Sequence, residues 1–350
     1  MLNRLFIRDF EAIDRFEAFL VSAVTAILAI RLFLALTGYP QLGGDTLHLA
    51  HLLWGGVLML AAFVVAFSFL GRAADRTAAI LGGLGFGTFL DEVGKFVTRD
   101  YDYFYEPAVA IMYVTIVAVF LVAHAVQRRG ERRPVEYLLN ALRETEELAL
   151  HDLDEEERRR ALAWLERSDP EHPLVPVLVT ALRAVEPAPA SRSVVERFRE
   201  RARALYRRIV ALPGFDTGLV LFFVGQLLFK LAFGAILVFV IGYGADQVLD
   251  VRFVGVVAER VTELSGLEIA QLAASGLSAV FVALGVVRLR RSRLAAYRQF
   301  ERAILVSILL VQVFSFYREQ FAALVELGFN LTLLVTLRMA IRLEGESQLT

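Results

Sequence analysis

The sequence predicts an all-α fold: a polytopic membrane helical bundle of about eight transmembrane helices with a helical insert on the cytoplasmic side. Hydrophobic residues make up 57% of the chain and charged residues 21%, and the mean hydropathy is +0.56, more apolar than soluble domains of this size. Several apolar runs also reach about 20 residues, the length that crosses the hydrocarbon layer as a helix. A β-barrel would instead show alternating stretches of about ten residues, which the sequence lacks.

The predicted spans form two groups of four. The first half covers 17–127 and the second half covers 213–342. The seventh span is short and ends at polar residues, so a re-entrant pair in place of the last two spans is the alternative. The predicted spans are 17–37, 49–70, 78–97, 107–127, 216–241, 268–288, 302–318 and 320–341.

Three segments outside the spans complete the predicted organisation. Residues 1–16 place their apolar side chains on one helical face, which predicts an amphipathic helix in the membrane interface. Residues 128–212 predict three or four helices, because Asp154 and Glu157 have capping-box spacing and prolines punctuate the connections. Residues 343–350 follow the last span as a tail.

Clusters of arginine predict the orientation of the spans. They lie before the first span, between the second and third, after the fourth and after the sixth, whereas the loop at 38–48 has no Lys or Arg. Because short loops rich in Lys and Arg stay in the cytoplasm, we expect the N-terminus, the C-terminus and the 128–212 domain on the cytoplasmic side.

The two halves also resemble each other in sequence. The run 50–52 with Gly56 aligns with the run 270–272 with Gly276, and Arg31 of the first span corresponds to Lys230 of the fifth. A parallel repeat of four plus four spans would explain this similarity, and many transporters are built from such repeats. Chance similarity between apolar helices explains it equally well, so both interpretations stay open.

Charged and polar residues within the spans are the main functional signal. A charge in the hydrocarbon layer costs at least a few kcal/mol, so such residues are usually paired and often functional. In both halves they concentrate towards the outer face, which predicts a polar pocket there. The candidates for ligand binding or ion coupling are Arg31, Asp91, Glu92, Lys95, Tyr113, Lys230 and Glu326.

Asp91 and Glu92 are the sharpest feature of this set. On a continuous helix, adjacent side chains point about 100° apart, so the two carboxylates address different partners. Lys95 lies within reach of either carboxylate. One division pairs Asp91 with Lys95 and leaves Glu92 for Arg31 or His51. These ion pairs would fix the register of the helices, or a carboxylate of raised pKa would bind and release a proton or cation.

A metal site is a further hypothesis. Asp45, His48 and His51 recur at three-residue steps, so all three can face one side of a helix. Together with Asp91 or Glu92 they would supply nitrogen and oxygen ligands for a divalent metal such as Zn²⁺. The alternative is that Asp45 caps the second span, His48 is solvated and His51 bonds a carboxylate.

Glycines in the third span predict close helix packing. Gly83 and Gly87 lie one turn apart and continue towards Asp91, and small residues at this spacing let membrane helices approach closely. A phosphate-binding loop is the poorer interpretation, because no strand precedes these glycines.

Composition limits the partners and cofactors. The chain has no cysteine, which excludes disulfides and thiolate metal sites, and its formal net charge is only −1, which predicts no nucleic-acid partner. Membrane lipids are the expected partners, with anionic lipids at the Arg-rich stretch 192–208. A homodimer is left open.

Three stretches of the first four spans carry a resemblance to a family. They are HLAHLLWGG at 48–56, GFGTFLDEVGKF at 85–96 and DYF at 102–104. These stretches resemble a family of uncharacterised bacterial multi-pass membrane proteins. The resemblance implies a protein of the bacterial cytoplasmic (inner) membrane, and it carries over no catalytic residue because no activity is settled for that family.

Three functions are consistent with these patterns. Transport or conduction of a small ion, proton or solute is the leading hypothesis, because charges lie within the spans and the halves look repeated. The second is a divalent-metal-dependent membrane enzyme acting on a lipid-like substrate at the outer face. The third is a membrane sensor or scaffold that signals through the 128–212 domain.

Overall fold

All secondary structure in the described residues is helical, which confirms the all-α class. The computed structural model describes residues 6–38, 51–98, 105, 107–128, 130–188, 201, 204, 205, 208, 212, 214–243 and 265–347. Within these residues, four helical segments are long and apolar enough to cross a membrane: Ala12–Thr37, Ala108–Arg128, Gly266–Leu289 and Arg293–Arg342. The chain therefore has the helices of a membrane protein, while the predicted number of about eight spans is not confirmed.

The described residues group into two compact units. The first lies within Met1–Tyr105 and Val114–Arg192, and the second within Glu106–Tyr113 and Ser193–Thr350. The helical insert thus belongs to the same unit as the first membrane helices. The helices of the first half are α1 (Ala12–Thr37), α2 (His51–Ser68), α3 (Arg72–Asp91), α4 (Val93–Val97) and α5 (Ala108–Arg128). The helices of the insert are α6 (Pro134–Leu150), α7 (Glu155–Leu165) and α8 (Leu174–Ala184).

Glycines let α3 pack directly against the backbones of α1 and α2. A methyl group on Gly83 or Gly87 would strike the carbonyl oxygen of Phe19 or Ala23 in α1. On the other side, a methyl group on Gly85 would lie 2.6 Å from the carbonyl oxygen of Gly55 in α2. The predicted close approach at Gly83 and Gly87 is therefore confirmed, and α3 is fixed between its two neighbours.

Within the described residues 130–188, the insert has three helices around a small apolar core. The predicted capping box starts α7: the Asp154 carboxylate accepts a hydrogen bond from the Glu157 N–H at 2.8 Å, and the Glu157 side chain accepts from the Asp154 N–H at 3.0 Å. The buried side chains that join α6, α7 and α8 include Leu138, Ala141, Leu153, Ala161, Leu165, Leu178 and Leu182.

The N-terminal segment differs from the predicted amphipathic helix over 1–16. Residues 6–9 are irregular, and the first helix begins only at Ala12. The segment runs along α6 instead, because the Phe10 N–H donates to the Asn140 side chain at 2.8 Å and the Asn140 amide donates to the Arg8 carbonyl at 2.9 Å. The single side-chain amide of Asn140 therefore bonds two backbone groups that a helix would have paired within itself.

The second unit contains the last predicted spans. Its helices are α9 (Phe215–Tyr243), α10 (Gly266–Leu289), α11 (Arg293–Val306), a π-helix (Ser307–Val311), α12 (Gln312–Glu319), a 3₁₀ turn (Gln320–Ala322) and α13 (Ala323–Ser347). The core of this unit is formed by α9, α10, α11 and α13, and it includes Phe223 stacked on Phe300 at 4.2 Å between ring centroids. The chain reverses direction at Gln320, whose φ is 49°.

This reversal makes the last two predicted spans an antiparallel hairpin. Near the turn, the Gln312 amide donates to the Ala323 carbonyl at 2.9 Å, and far from it the Arg338 Nε lies 2.7 Å from a Glu301 carboxylate oxygen. The parallel repeat is not confirmed: α3 packs between α1 and α2, whereas its counterpart α11 packs against α10 and α13.

Candidate functional site

A break in the third helix places two buried carboxylates side by side. Asp91 is the last residue of α3, Glu92 has φ −89° and ψ 7°, and α4 begins at Val93. Both Asp91 and Glu92 are fully buried, at 0% exposure. Fully buried carboxylates require charged or hydrogen-bonding partners, so the geometry of these partners defines the site.

Asp91 is paired with Arg31 of α1. The Arg31 Nε donates to an Asp91 carboxylate oxygen at 2.5 Å, and an Nη2 hydrogen of the same guanidinium reaches the Asp91 backbone carbonyl at 3.1 Å. Charge-assisted hydrogen bonds of this kind are short and strong. The contact ties the end of α3 to the C-terminal part of α1.

Glu92 is held by Lys95 and by the start of α2. The Lys95 ammonium lies 2.8 Å from one Glu92 oxygen, and the Leu52 backbone N–H donates to the other at 3.0 Å. Leu52 is the second residue of α2, so the carboxylate caps a helix N-terminus, where negative charge is stabilised. Glu92 therefore joins α2 to α4.

The sequence left open which of the two carboxylates pairs with Lys95. In the structure Glu92 pairs with Lys95 and Asp91 pairs with Arg31, so the division in which Asp91 binds Lys95 is not the one found. The predicted span 78–97 is also interrupted, since α3 ends at Asp91 and α4 begins at Val93.

The proposed zinc ligands lie largely outside the described residues. Asp45 and His48 fall in the segment 39–50, and His51 begins α2 with a side chain that is not described. In the described part of the chain, no group of three or more His, Asp or Glu side chains could hold a metal ion. A metal site at Asp45, His48, His51, Asp91 and Glu92 stays a prediction.

The other predicted site residues form a separate cluster in the second unit. The Tyr113 hydroxyl donates to the carbonyl of Ile308 in the π-helix, and its ring packs against Phe316 at 4.6 Å between centroids. Glu326 interacts electrostatically with both Tyr113 and Lys230.

The Lys230 ammonium contacts a chain of hydroxyl groups within this cluster. Its ammonium donates to the Ser278 Oγ at 3.4 Å, and that hydroxyl donates to the Ala303 carbonyl at 3.1 Å and also meets the Ser307 Oγ at 3.1 Å. Ser307 begins the π-helix, and such insertions are frequent at functional sites because they alter the hydrogen-bond pattern of a helix. The cluster thus joins α9, α10 and the π-helix.

Sequence reasoning missed the densest charge cluster of the first unit, which consists of two closed rings of ion pairs. In ring one, Arg15 and Arg143 each pair with both Asp9 and Asp75. Ring one therefore links the N-terminal segment, α1, α3 and α6. Only Asp9 and Arg15 are close in sequence, and the other three pairs join residues at least 60 positions apart, so no local pattern could reveal the ring.

Ring two also joins the N-terminal segment, α3 and α6, and it adds α7. Arg72, the first residue of α3, pairs with Glu11 and Glu144 at 2.6 Å each, and Arg160 of α7 pairs with Glu144 at 3.1 Å and Glu11 at 3.3 Å. Burial raises the pKa of Glu144, and this effect exceeds the opposing attraction of Arg72 and Arg160. The two rings attach the insert to the ends of α1 and α3.

Glu136, beside the rings, gives a prediction about pH. Burial would raise its pKa, but hydrogen bonds from Arg8 and from the backbone and side chain of Arg133 outweigh burial and lower the pKa from 4.5 to about 2. Because the folded pKa is depressed, the carboxylate stabilises the fold above a pH of about 4.5, and this contribution is lost as pH falls towards about 2. We expect the melting temperature of the detergent-purified protein to fall more steeply over this range than that of Glu136→Gln.

The difference between the two proteins in how melting temperature changes with pH reports on Glu136 alone, since the other acidic groups titrate in both proteins. Equal slopes for the wild type and Glu136→Gln between pH 4.5 and pH 2 would contradict the depressed pKa.

Comparison with known proteins adds no family to these observations. The resemblance carried by 48–56, 85–96 and 102–104 thus stays a prediction. No protein-family model, curated protein or solved structure matches the chain.

Proposed function

We propose that the chain is a membrane transport protein that couples the binding of a proton or small cation to movement of its helices. The main support for this proposal is the break in α3 beside two fully buried carboxylates, Asp91 and Glu92. Interrupted helices with buried charges are the sites at which many transporters bind their ions.

The contacts of Glu92 suggest how binding is coupled to movement. Its carboxylate holds the Lys95 ammonium at 2.8 Å and the Leu52 N–H at 3.0 Å. A proton on Glu92 weakens both contacts because each depends on the negative charge, whereas a cation bound to Glu92 competes with both donors for the carboxylate oxygens. The start of α2 is then released from α4, while the Arg31–Asp91 pair keeps α3 attached to α1.

Flux measurements in proteoliposomes test this proposal. We expect wild-type protein to carry protons or a monovalent or divalent cation, and Glu92→Gln to reduce that flux roughly tenfold or more, because the amide cannot take up the proton or bind a cation with the same affinity. Glu155→Gln is the matched control, because this substitution also replaces a carboxylate by an amide but at an exposed position of α7. The flux is measured with a pH-sensitive dye and with ion gradients of each sign.

Two outcomes contradict transport. The first is wild-type protein that carries no flux of any of these ions. The second is unchanged flux in Glu92→Gln, since this would separate movement of ions from the buried carboxylate.

The ion-pair rings favour a second function, a sensor that signals through the insert. Each ring joins the insert to α1 or the N-terminal segment and to the start of α3. A change in the insert therefore reaches α3 directly, and α3 is fixed between α1 and α2 by its glycines. The same flux assay separates the two functions, because a protein that only signals carries no ions in the wild type.

A further inference from the structure

An exposed apolar strip runs beside the ion-pair rings. It is formed by five side chains whose exposed fractions range from 36% to 77%. Its members come from the N-terminal segment and from α6: Phe6, Ile7, Val135, Leu139 and Leu142. Single exposed apolar residues are normal on protein surfaces, but a continuous strip of large ones indicates an interaction site.

The helical geometry of α6 makes the strip continuous. Val135, Leu139 and Leu142 are spaced four and three residues apart, so they share one face of the helix. The adjoining face carries Glu136 and Asn140, which bind the N-terminal segment through Arg8 and Phe10.

The same contacts hold the N-terminal part of the strip in place. The Arg133 guanidinium donates to the Phe6 carbonyl at 3.1 Å. Arg8, which follows Ile7, donates to the Gly130 and Glu131 carbonyls at 3.3 and 2.8 Å. Phe6 and Ile7 are therefore fixed next to the start of α6.

We propose that the apolar strip lies on the lipid surface of the membrane, so that α6 rests in the membrane interface. The chain segments that connect the strip to α5 and to α1 keep it at the membrane surface. The helix α5 is apolar enough to cross a membrane and ends at Arg128, and α6 begins at Pro134. Six residues of chain span at most about 20 Å, so the start of α6 stays close to the end of α5. On the other side, Ile7 lies five residues before Ala12, the first residue of α1.

The chemistry of the strip fits a lipid surface better than a protein partner. Interfacial helices place large apolar side chains towards the acyl chains and basic side chains at the rim, near the phosphates. The strip is aliphatic and aromatic, and Arg128, Arg132 and Arg133 lie at the chain entry to α6. The Arg132 guanidinium packs over the Phe10 ring at 4.3 Å. This inference does not depend on the proposed transport function.

Spin labelling tests the proposal cleanly, because the chain has no cysteine of its own. Single-cysteine variants Leu139→Cys and Leu142→Cys carry a nitroxide label, and the protein is reconstituted in nanodiscs that contain zwitterionic and anionic phospholipid. Arg159→Cys is the control, since the Arg159 side chain is 71% exposed on α7. We expect collisions with oxygen, relative to collisions with a water-soluble nickel chelate, to be several-fold higher at 139 and 142 than at 159.

Two results overturn the proposal. If the ratio of oxygen collisions to nickel-chelate collisions is the same at 139 and 142 as at 159, the strip faces water. Protection from both oxygen and the nickel chelate means that protein covers the strip, and spin–spin broadening between labels identifies a second copy as that protein. The two labelled positions are interpreted only with melting temperatures that match the cysteine-free protein, and either position alone suffices for the test.

Discussion

Replacing Arg31 by alanine is expected to lower the free energy of unfolding by about 3 kcal/mol or more, because it removes the guanidinium from a fully buried carboxylate. The Arg31 Nε lies 2.5 Å from Asp91, whose side chain has 0% exposure. Loss of one partner leaves the other charge in an apolar environment, and this cost exceeds the net stabilisation that the intact pair provides. Equilibrium unfolding in mixed detergent and SDS micelles measures the change.

A double-mutant cycle identifies the cause of that loss. Arg31→Met combined with Asp91→Leu is expected to recover most of the stability lost in Arg31→Met alone, since the double variant buries no charge at this position. Arg159→Ala serves as the surface control, because Arg159 is 71% exposed and exposed pairs contribute about 1 kcal/mol or less. A double variant that is no more stable than Arg31→Met would show that the charge pair is not what stabilises this end of α3.

Gly87→Ala is expected to destabilise the first unit by about 3 kcal/mol or more. The added methyl group would strike the carbonyl oxygen and the Cα of Ala23 in α1. These are backbone atoms, so α1 and α3 must move apart, and the contacts along both helices weaken together. Gly83→Ala meets the backbone of Phe19 and is expected to behave in the same way.

Two neighbouring glycines provide matched controls for this prediction. A methyl group on Gly56 of α2 meets no atom within 4 Å, and one on Gly82 of α3 lies 3.5 Å from the Ala62 Cβ, an ordinary contact. Because alanine favours the helix by about 1 kcal/mol over glycine, both substitutions are expected to leave stability unchanged or to raise it slightly. Equal losses at Gly82 and Gly87 would contradict the close packing of α3 against α1.

Much of the first unit could be predicted from local sequence patterns. The small-residue spacing of Gly83 and Gly87 predicted the packing of α3, and the spacing of Asp154 and Glu157 predicted the start of α7, because both depend on residues within one helical turn. The partners of Asp91 and Glu92 could not be predicted in this way. Arg31 is 60 residues from Asp91 and Leu52 is 40 residues from Glu92 in sequence, so no pattern within one helical turn identifies these partners.

The charge clusters show the same limit over longer distances. Asp9 and Arg143 of ring one are separated by 134 residues, and Arg72 and Glu144 of ring two by 72. Their arginines suggested only which loops face the cytoplasm, since a single sequence gives no information on contacts between distant segments. In the same way, the position of Tyr113 in the fourth predicted span gives no information on its contact with the π-helix.

The pairing of charges at the break in α3 has an electrical consequence. Arg31 with Asp91 and Lys95 with Glu92 are two pairs of opposite charge, so these four side chains together carry no net charge. If the chain transports ions as proposed, one bound proton or monovalent cation adds a single charge to these four side chains. Moving that charge through the full membrane potential gains or costs about 2.3 kcal/mol per 100 mV. The proposed transport is therefore expected to depend on membrane voltage through the step that moves the bound ion.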